Sequence, residues 1–351
     1  DLMNNRISSD SKEFENKLFD FQITAAKLAA RNLDKRGGAM IGDVVGLGKT
    51  ITACAVAKMY ENSIGCCTLI ICPANLQEMW QGYIKKYDLK ADVLSIDKKF
   101  APDQMRYYRL CIIDESHNLR NRESVRYKRI RELLKKQGSR VLLLTATAYN
   151  KSFLDISSQL RLFISNDTEL GIRPEKYIEV LGGDNAFASK HSQISSQTIQ
   201  AFELSDYPDD CSSLMKHFLV RRTRTFIKNN YAKTDDQNGR LYLQFSDGKK
   251  SYFPDRIPHT VKFNVSENSQ YAKLYSDEML AKIDRLKLPR YGLSQYIDDK
   301  KTADVATYIK KTLDHLSKAG KRLMGFCLST FGKRMDSCGY AYLLTLKRHL
   351  L

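Results

Sequence analysis

No apolar run in this chain approaches the about 20 residues that cross a bilayer as a helix. Residues 1 to 20 are polar and charged, and they do not read as a signal peptide. A membrane partner is therefore not expected, and the chain reads as cytoplasmic. Zinc-type cysteine pairs are missing too. The eight cysteines, Cys54, Cys66, Cys67, Cys72, Cys111, Cys211, Cys327 and Cys338, include no paired C-x-x-C. Most sit inside apolar patterns, so reduced core thiols are expected. His191, His259 and His315 lack partners at ligand spacing and read as structural or surface residues. There is no internal repeat and no low-complexity tract, which excludes a solenoid.

What the chain has in excess is positive charge, a formal +17 over 351 residues. That points to a polyanion, most simply nucleic acid; a basic surface kept for solubility is the plain alternative. The length suits about two domains.

The chain is organised around Asp43-Val44-Val45-Gly46-Leu47-Gly48-Lys49-Thr50. A short apolar run, Ala39 to Ile41, precedes it, and a helical pattern from Ile51 to Tyr60 follows. Strand, glycine-punctuated loop ending in Gly-Lys-Thr, then helix is the setting of a phosphate-binding loop. The glycines let backbone N–H groups face phosphate oxygens, and the helix N-terminus adds positive potential. Lys49 is then placed to reach the β- and γ-phosphates and Thr50 to ligate Mg²⁺. The general pattern begins with Gly where this chain has Asp43.

Three more apolar runs end in polar residues: Thr68 to Cys72 before Pro73, Leu110 to Ile113 before Asp114, and Val141 to Leu144 before Thr145. Such runs suit strands covered on both faces. Helical spacing between them predicts helices over Asp20 to Leu33, Asn75 to Tyr87 and Asn121 to Gln137. Asp20 is the expected N-cap of the first, Asn75 and Glu78 a capping box for the second, and Val125 an inward residue of the third. The result is an open parallel α/β sheet, and ligands of such sheets lie beyond the carboxyl ends of the strands. Asp43 to Thr50, Pro73, Asp114 to His117 and Thr145 to Thr147 all fall at that edge. Asp114 can hold Mg²⁺ through its water shell, and Glu115 can orient or deprotonate an attacking water.

Farther on, Leu214 to Ile227 is basic and apolar by turns, and Arg240 to Phe253 reads as a hairpin around Ser246-Asp247-Gly248. Thr260 to Val265 reads as a strand. Beyond Ser266 the pattern is mainly helical, with one stripe over Leu323, Cys327, Phe331, Met335, Cys338 and Tyr342, and with Gly325, Gly332 and Gly339 seven apart. The expected segments are 1–165, a first ATP-binding lobe; 166–230, a helical insertion with an Arg-Arg-Thr stretch; 231–260, hairpin and linker; and 261–351, the start of a second half.

The order Gln22, Gly46-Leu47-Gly48-Lys49-Thr50, Ile71-Cys72-Pro73-Ala74, Asp114-Glu115-Ser116-His117, Thr145-Ala146-Thr147 resembles the first RecA-like lobe of superfamily-2 helicases. The Gly-Leu-Gly-Lys-Thr form, Phe218 to Arg224, and Phe253-Pro254 through Tyr275 are similar to the SWI/SNF-type DNA translocase branch, with a bacterial look. The resemblance implies a RecA-like P-loop sheet with helices on both faces, and ATP and Mg²⁺ as cofactors. It implies that Gln22 recognises adenine and that His117, Thr145 and Thr147 couple the nucleotide to nucleic acid. Pro73 would lie along DNA phosphates, with Arg221, Arg222 and Arg224 either touching DNA or bracing the lobe. Val44 stands where the branch usually has an acidic residue, and Ala148 where it often has proline.

The branch's second RecA-like lobe, with its arginine finger, is not evident after Tyr275. The chain is therefore expected to be the N-terminal portion of a longer motor, with little ATP turnover by itself. The partner expected first is duplex DNA, together with the second lobe of the same polypeptide. Two alternatives stand beside a DNA translocase: the motor subunit of a restriction or phage-defence complex, with nuclease or other subunits, and a non-hydrolysing nucleotide-gated DNA-binding module. The other cationic stretch, Arg120, Arg122, Arg126, Lys128, Arg129 and Arg131, reads best as a solvated helix face.

Overall fold

The computed structural model describes residues 14, 17–148, 154–245, 247–254, 266, 269–286 and 323–350. They fall into two units, Asp1–Asp255 and Arg256–Leu351.

The first unit is built on a six-stranded sheet. Its strands are β1 (Gly38–Ile41), β2 (Thr68–Cys72), β3 (Ala91–Ser95), β4 (Leu110–Ile113), β5 (Arg140–Leu144) and β6 (Leu219–Val220). They pair in the order β3-β2-β4-β5-β1-β6, and every pairing is parallel. Helices α1 (Asp20–Arg36), α2 (Lys49–Ile64) and α3 (Gln77–Lys86) cover one face. Helices α4 (Val125–Gln137) and α5 (Leu154–Leu160) cover the other, with α6 (Glu175–Leu181), α7 (Asp184–Lys190), α8 (Ile199–Glu203) and α9 (Pro208–Phe218) following in the chain. This is a RecA-like α/β sheet with helices on both faces.

The continuous apolar runs have a simple cause. Successive side chains of a strand point to opposite faces. Ala39, Ile41, Ile70, Ile112 and Leu142 pack with α1 to α3, while Met40, Leu69, Ile71, Cys111 and Leu143 pack with α4 and α5. Both faces are dry, so every position must be apolar.

Several local expectations change. Helix α1 begins at Asp20, with Phe19 rather than Asp20 at the cap position; the Gln22 side chain accepts from the Phe19 N–H at 3.0 Å. The Asn75–Glu78 capping box does not form. Pro73 (φ −54°) starts a tight turn over Ala74–Leu76, and α3 begins only at Gln77 with no side-chain cap. Helix α4 starts at Val125, four residues later than expected, because Ser124 caps it by accepting from Tyr127 N. Val125 is consequently 77% exposed rather than inward. Two strands were not anticipated. β3 is an edge strand carrying the exposed Asp92, and β6 is only two residues long, so neither has an apolar run of its own.

After β6 come α10 (Arg224–Tyr231) and a three-stranded antiparallel ribbon, β7 (Lys233–Thr234), β8 (Leu241–Gln244) and β9 (Lys250–Tyr252). The ribbon contains the expected hairpin plus one strand more.

In the second unit, α11 (Gln270–Leu274), α12 (Asp277–Asp284), a helix over 323–337 and a last helix, α14 (Gly339–Leu350), surround a small core of Phe331, Met335 and Tyr342. The helix over 323–337 is α13. The expected stripe is interrupted. Leu323 is 50% exposed, and Cys338 lies exposed at the break between helices. Gly325, Gly332 and Gly339 do not mark a close helix contact, since a Cβ at each would meet nothing within 4 Å. The strand expected at Thr260 to Val265 lies outside the described residues. Among the described residues no helix is long and apolar enough to cross a membrane, and the cysteines are free thiols, most of them buried.

Candidate nucleotide site

The loop after β1 meets the ends of its neighbours. β5 lies between β1 and β4, so the segments following all three emerge side by side at one sheet edge. The ladder carries the chain into them: Thr145 N donates to Ile41 O at 3.1 Å, and Asp114 N to Ile71 O at 2.8 Å.

The phosphate loop is shaped by two left-handed glycines, Gly46 (φ 86°) and Gly48 (φ 77°). Gly48 is also crowded from outside the loop, since a Cβ there would press on the Gln22 amide. Lys49 and Thr50 open α2, and Lys49 Nζ donates to Asp43 O at 2.9 Å. Val44 and Leu47 pack with Phe21 and Ile227, while Val45 is exposed. Gln22 Nε2 donates to Leu47 O at 3.1 Å. With its oxygen engaged by Phe19, the Gln22 amide ties α1 to the loop and keeps one N–H and one lone pair in reserve.

Asp114 is 6% exposed. Trp80 Nε1 donates to its Oδ2 at 2.9 Å, and Glu115 N to its Oδ1 at 2.9 Å. Burial pushes its pKa up; the hydrogen bonds from Trp80 and from Glu115 N oppose that, and the charge of Lys49 pulls the same way. Among the described residues no side-chain cation lies within ion-pair distance of Asp114. A buried carboxylate with only neutral donors and spare lone pairs is a fitting place for a cation. Lys49, whose charge acts on Asp114, and Thr50 open α2, and a helix N-terminus suits a phosphate group.

Glu115 is one of two non-glycine residues with positive φ (48°) among the described residues. Such a backbone is costly for a residue with a Cβ and is found where geometry matters more than ease. The Glu115 N–H donates to Asp114. The Glu115 carboxylate lies 3.1 Å from His117 Nδ1, which is 3.3 Å from Thr145 Oγ1; that hydroxyl accepts from Thr147 N at 3.1 Å. Glu115, His117, Thr145 and Thr147 thus form one connected chain. Pro73 stands at the end of β2, beside β4.

The arginines of the 221–224 stretch divide. Arg222 is 8% exposed and clamps Asp43, which is 0% exposed. Arg222 N and Nε donate to Asp43 Oδ1 at 2.8 and 3.2 Å, Nη2 reaches Oδ2, and Nη1 bonds Phe21 O. Its guanidinium also lies 5.1 Å from the Phe21 ring centre. Arg222 therefore braces the lobe, the second of the two roles expected for it, because it is buried and each of its side-chain nitrogens bonds inside the protein. The same clamp explains the departure from Gly at position 43: the carboxylate points away from the loop into the arginine. Arg224 Nη2 donates to Val45 O at 3.2 Å, and Arg221 is exposed.

Three residues at this edge were not found from sequence. Trp80 reads as one more apolar position of α3. Gln159 is fully buried, accepts from Ser116 Oγ at 2.8 Å and donates to Ala148 O at 2.6 Å, locking the Asp-Glu-Ser-His turn to α5. Arg120 bonds Thr147 Oγ1 at 3.3 Å. A polar residue inside an apolar helix face was the only available signal for Gln159.

No family model matches the chain. It is similar to an uncharacterized ATP-dependent helicase, YqhH, of Bacillus subtilis, at 31% identity over 158 residues, covering 39% of this chain and 28% of that protein. It is 28% identical over 186 residues to a Caenorhabditis elegans SWI/SNF-related matrix-associated actin-dependent regulator of chromatin, subfamily A, containing DEAD/H box 1 homolog, covering 42% and 18% of the two chains. With the mouse DNA annealing helicase and endonuclease ZRANB3 it shares 29% identity over 160 residues, 37% of this chain and 14% of that one. Among solved structures, a Sulfolobus solfataricus SWI2/SNF2 ATPase core in complex with dsDNA matches with a TM-score of 0.43 and 18% identity, over 64% of this chain and 50% of that one. The matched regions span well under a third of the curated relatives' length. In its motif order and in these relatives taken together, the chain is similar to the SWI/SNF-type branch of the superfamily-2 helicases.

Proposed function

We propose that this chain supplies the ATP-binding lobe of a motor that moves along double-stranded DNA. The observation that carries the reading is the meeting of the Gly-Lys-Thr loop, Asp114–Glu115 and Thr145–Thr147 at one sheet edge, with the Lys49 charge acting on Asp114. In this reading Lys49 and the loop N–H groups hold the phosphates, and Thr50 and Asp114 hold magnesium. Bound magnesium supplies charge neutralisation at the phosphates. Glu115, kept in place by its strained backbone and by His117, orients the attacking water. The link from His117 to Thr145 and Thr147 passes the state of that site along the sheet edge. Gln22 offers its remaining donor and acceptor to the adenine.

Duplex DNA is the proposed polyanion, supported by the +17 charge. Pro73, Arg221 and Arg224 remain its proposed contacts. Movement would need a second lobe to close on the nucleotide. Intact Lys49, Thr50, Asp114 and Glu115 favour hydrolysis over a purely nucleotide-gated binding role.

The test is DNA-stimulated ATP hydrolysis by the full-length gene product, alongside Lys49→Ala and Glu115→Gln. Both variants should lose at least about a hundredfold in rate, the scale of a positioned acid–base group. Equal rates in all three would end the proposal.

A further inference from the structure

The chain has one tryptophan, and it is fully buried against the carboxylate that the nucleotide reading assigns to magnesium. An apolar core does not need an indole at this position, because a phenylalanine would fill most of the same space. What the indole adds is one N–H that can only donate. That N–H is 2.9 Å from Asp114 Oδ2, and the strained Glu115 backbone supplies the second donor, 2.9 Å from Oδ1. Each carboxylate oxygen is therefore held by a single neutral donor. The plane of the carboxylate is fixed while lone pairs remain on both oxygens. The indole is itself set by α3, which follows directly on the Pro73–Leu76 turn, and by the Tyr83 ring at 6.4 Å.

We propose that Trp80 is a positioning residue for magnesium at this site: it orients Asp114 toward the metal and ties that orientation to the Pro73 turn. The proposal rests on the nucleotide-binding reading above and deepens it. Groups that orient a metal ligand commonly contribute about 10- to 100-fold to metal affinity. The placement also makes Trp80 the chain's own optical reporter, since its hydrogen-bond acceptor changes electronically when a divalent cation arrives.

The experiment uses the whole chain and titrates Mg²⁺ against a fixed concentration of a fluorescent, non-hydrolysable ATP analogue. Trp80→Phe should leave metal-free analogue binding within about twofold and raise the half-saturating Mg²⁺ by about 10-fold or more. In the wild type, Trp80 emission should change with Mg²⁺ and analogue together, and Asp114→Asn should abolish that change. An unchanged Mg²⁺ midpoint in a folded Trp80→Phe overturns the proposal. So does constant Trp80 emission in a wild type that binds the analogue, a measurement that stands even where Trp80→Phe does not fold. A wild type that binds no analogue at all removes the nucleotide reading itself, and this inference with it.

Discussion

Two arginine-rich stretches look alike in composition and end in opposite places. Along α4, the cations settle on partners near the surface. Arg126 meets Asp97 at 3.2 Å, Lys128 meets Glu123 at 2.6 Å, and Arg129 lies 5.0 Å from the Phe100 ring centre. Just before α4, Arg122 reaches inward to Glu203, and on the helix Arg131 donates to Arg161 O at 3.0 Å. After β6, by contrast, Arg222 is drawn under the phosphate loop into a dry contact with Asp43. The difference is one of surroundings. A surface pair exchanges water for a partner at little gain, whereas a buried charge is held in place by the cost of losing its partner.

Substitutions at four places probe that contrast. The largest effect is expected at the buried clamp. Arg222→Ala or Asp43→Ala leaves the other charge stranded and should cost about 3–5 kcal/mol in denaturant unfolding of the first unit. An apolar pair, Asp43→Leu with Arg222→Met, should cost less than either single change; a larger loss would show that the clamp is worth more than the charge it neutralises.

The next effect falls at Glu203, where Arg161 Nε and Nη2 bind its two oxygens at 2.6 and 2.7 Å. Burial works against its ionisation, but hydrogen bonds from Arg161, Arg122 and Ser157 outweigh it and hold the carboxyl at about 2, below its usual 4.5. A depressed carboxyl stabilises the fold above the unfolded value and loses that contribution as pH falls through the folded one. The melting temperature of the wild type should therefore drop between about pH 4.5 and 2 more than that of Glu203→Gln, which is already destabilised by about 1–3 kcal/mol. Parallel pH curves would exclude Glu203 as the source.

Ser124→Ala should cost about 1 kcal/mol through the lost cap of α4. The smallest effect belongs to Arg126→Ala, at most about 0.5 kcal/mol, and it should vanish in high salt. A large value there would erase the distinction between the two stretches.

The fold was legible where periodicity was strong. Four strands that carry continuous apolar runs, and the Gly-Lys-Thr loop between one of them and its helix, were readable because a sheet covered on both faces leaves no room for polar residues. Strands β3 and β6 escaped because an edge strand and a two-residue strand need no such run. The Asn75–Glu78 capping box and the expected start of α4 at Asn121 failed for local reasons: the turn at Pro73 and the cap at Ser124 moved the helix starts farther along the chain. At the site, the residues with fixed spacing to a strand end were visible. Trp80, Gln159 and the clamp from Arg222 to Asp43 were not, since they meet across 34, 43 and 179 positions of chain.

By itself the sequence determined the chemistry on offer and the edge of the sheet where it would stand, because strand-end position follows from hydrophobic pattern alone. Only the tertiary structure decided what each charged group does there. The guanidinium of Arg222 and the indole of Trp80 have their roles because of what is packed against them, and burial and hydrogen-bond partners are properties of the folded neighbourhood, not of the residue.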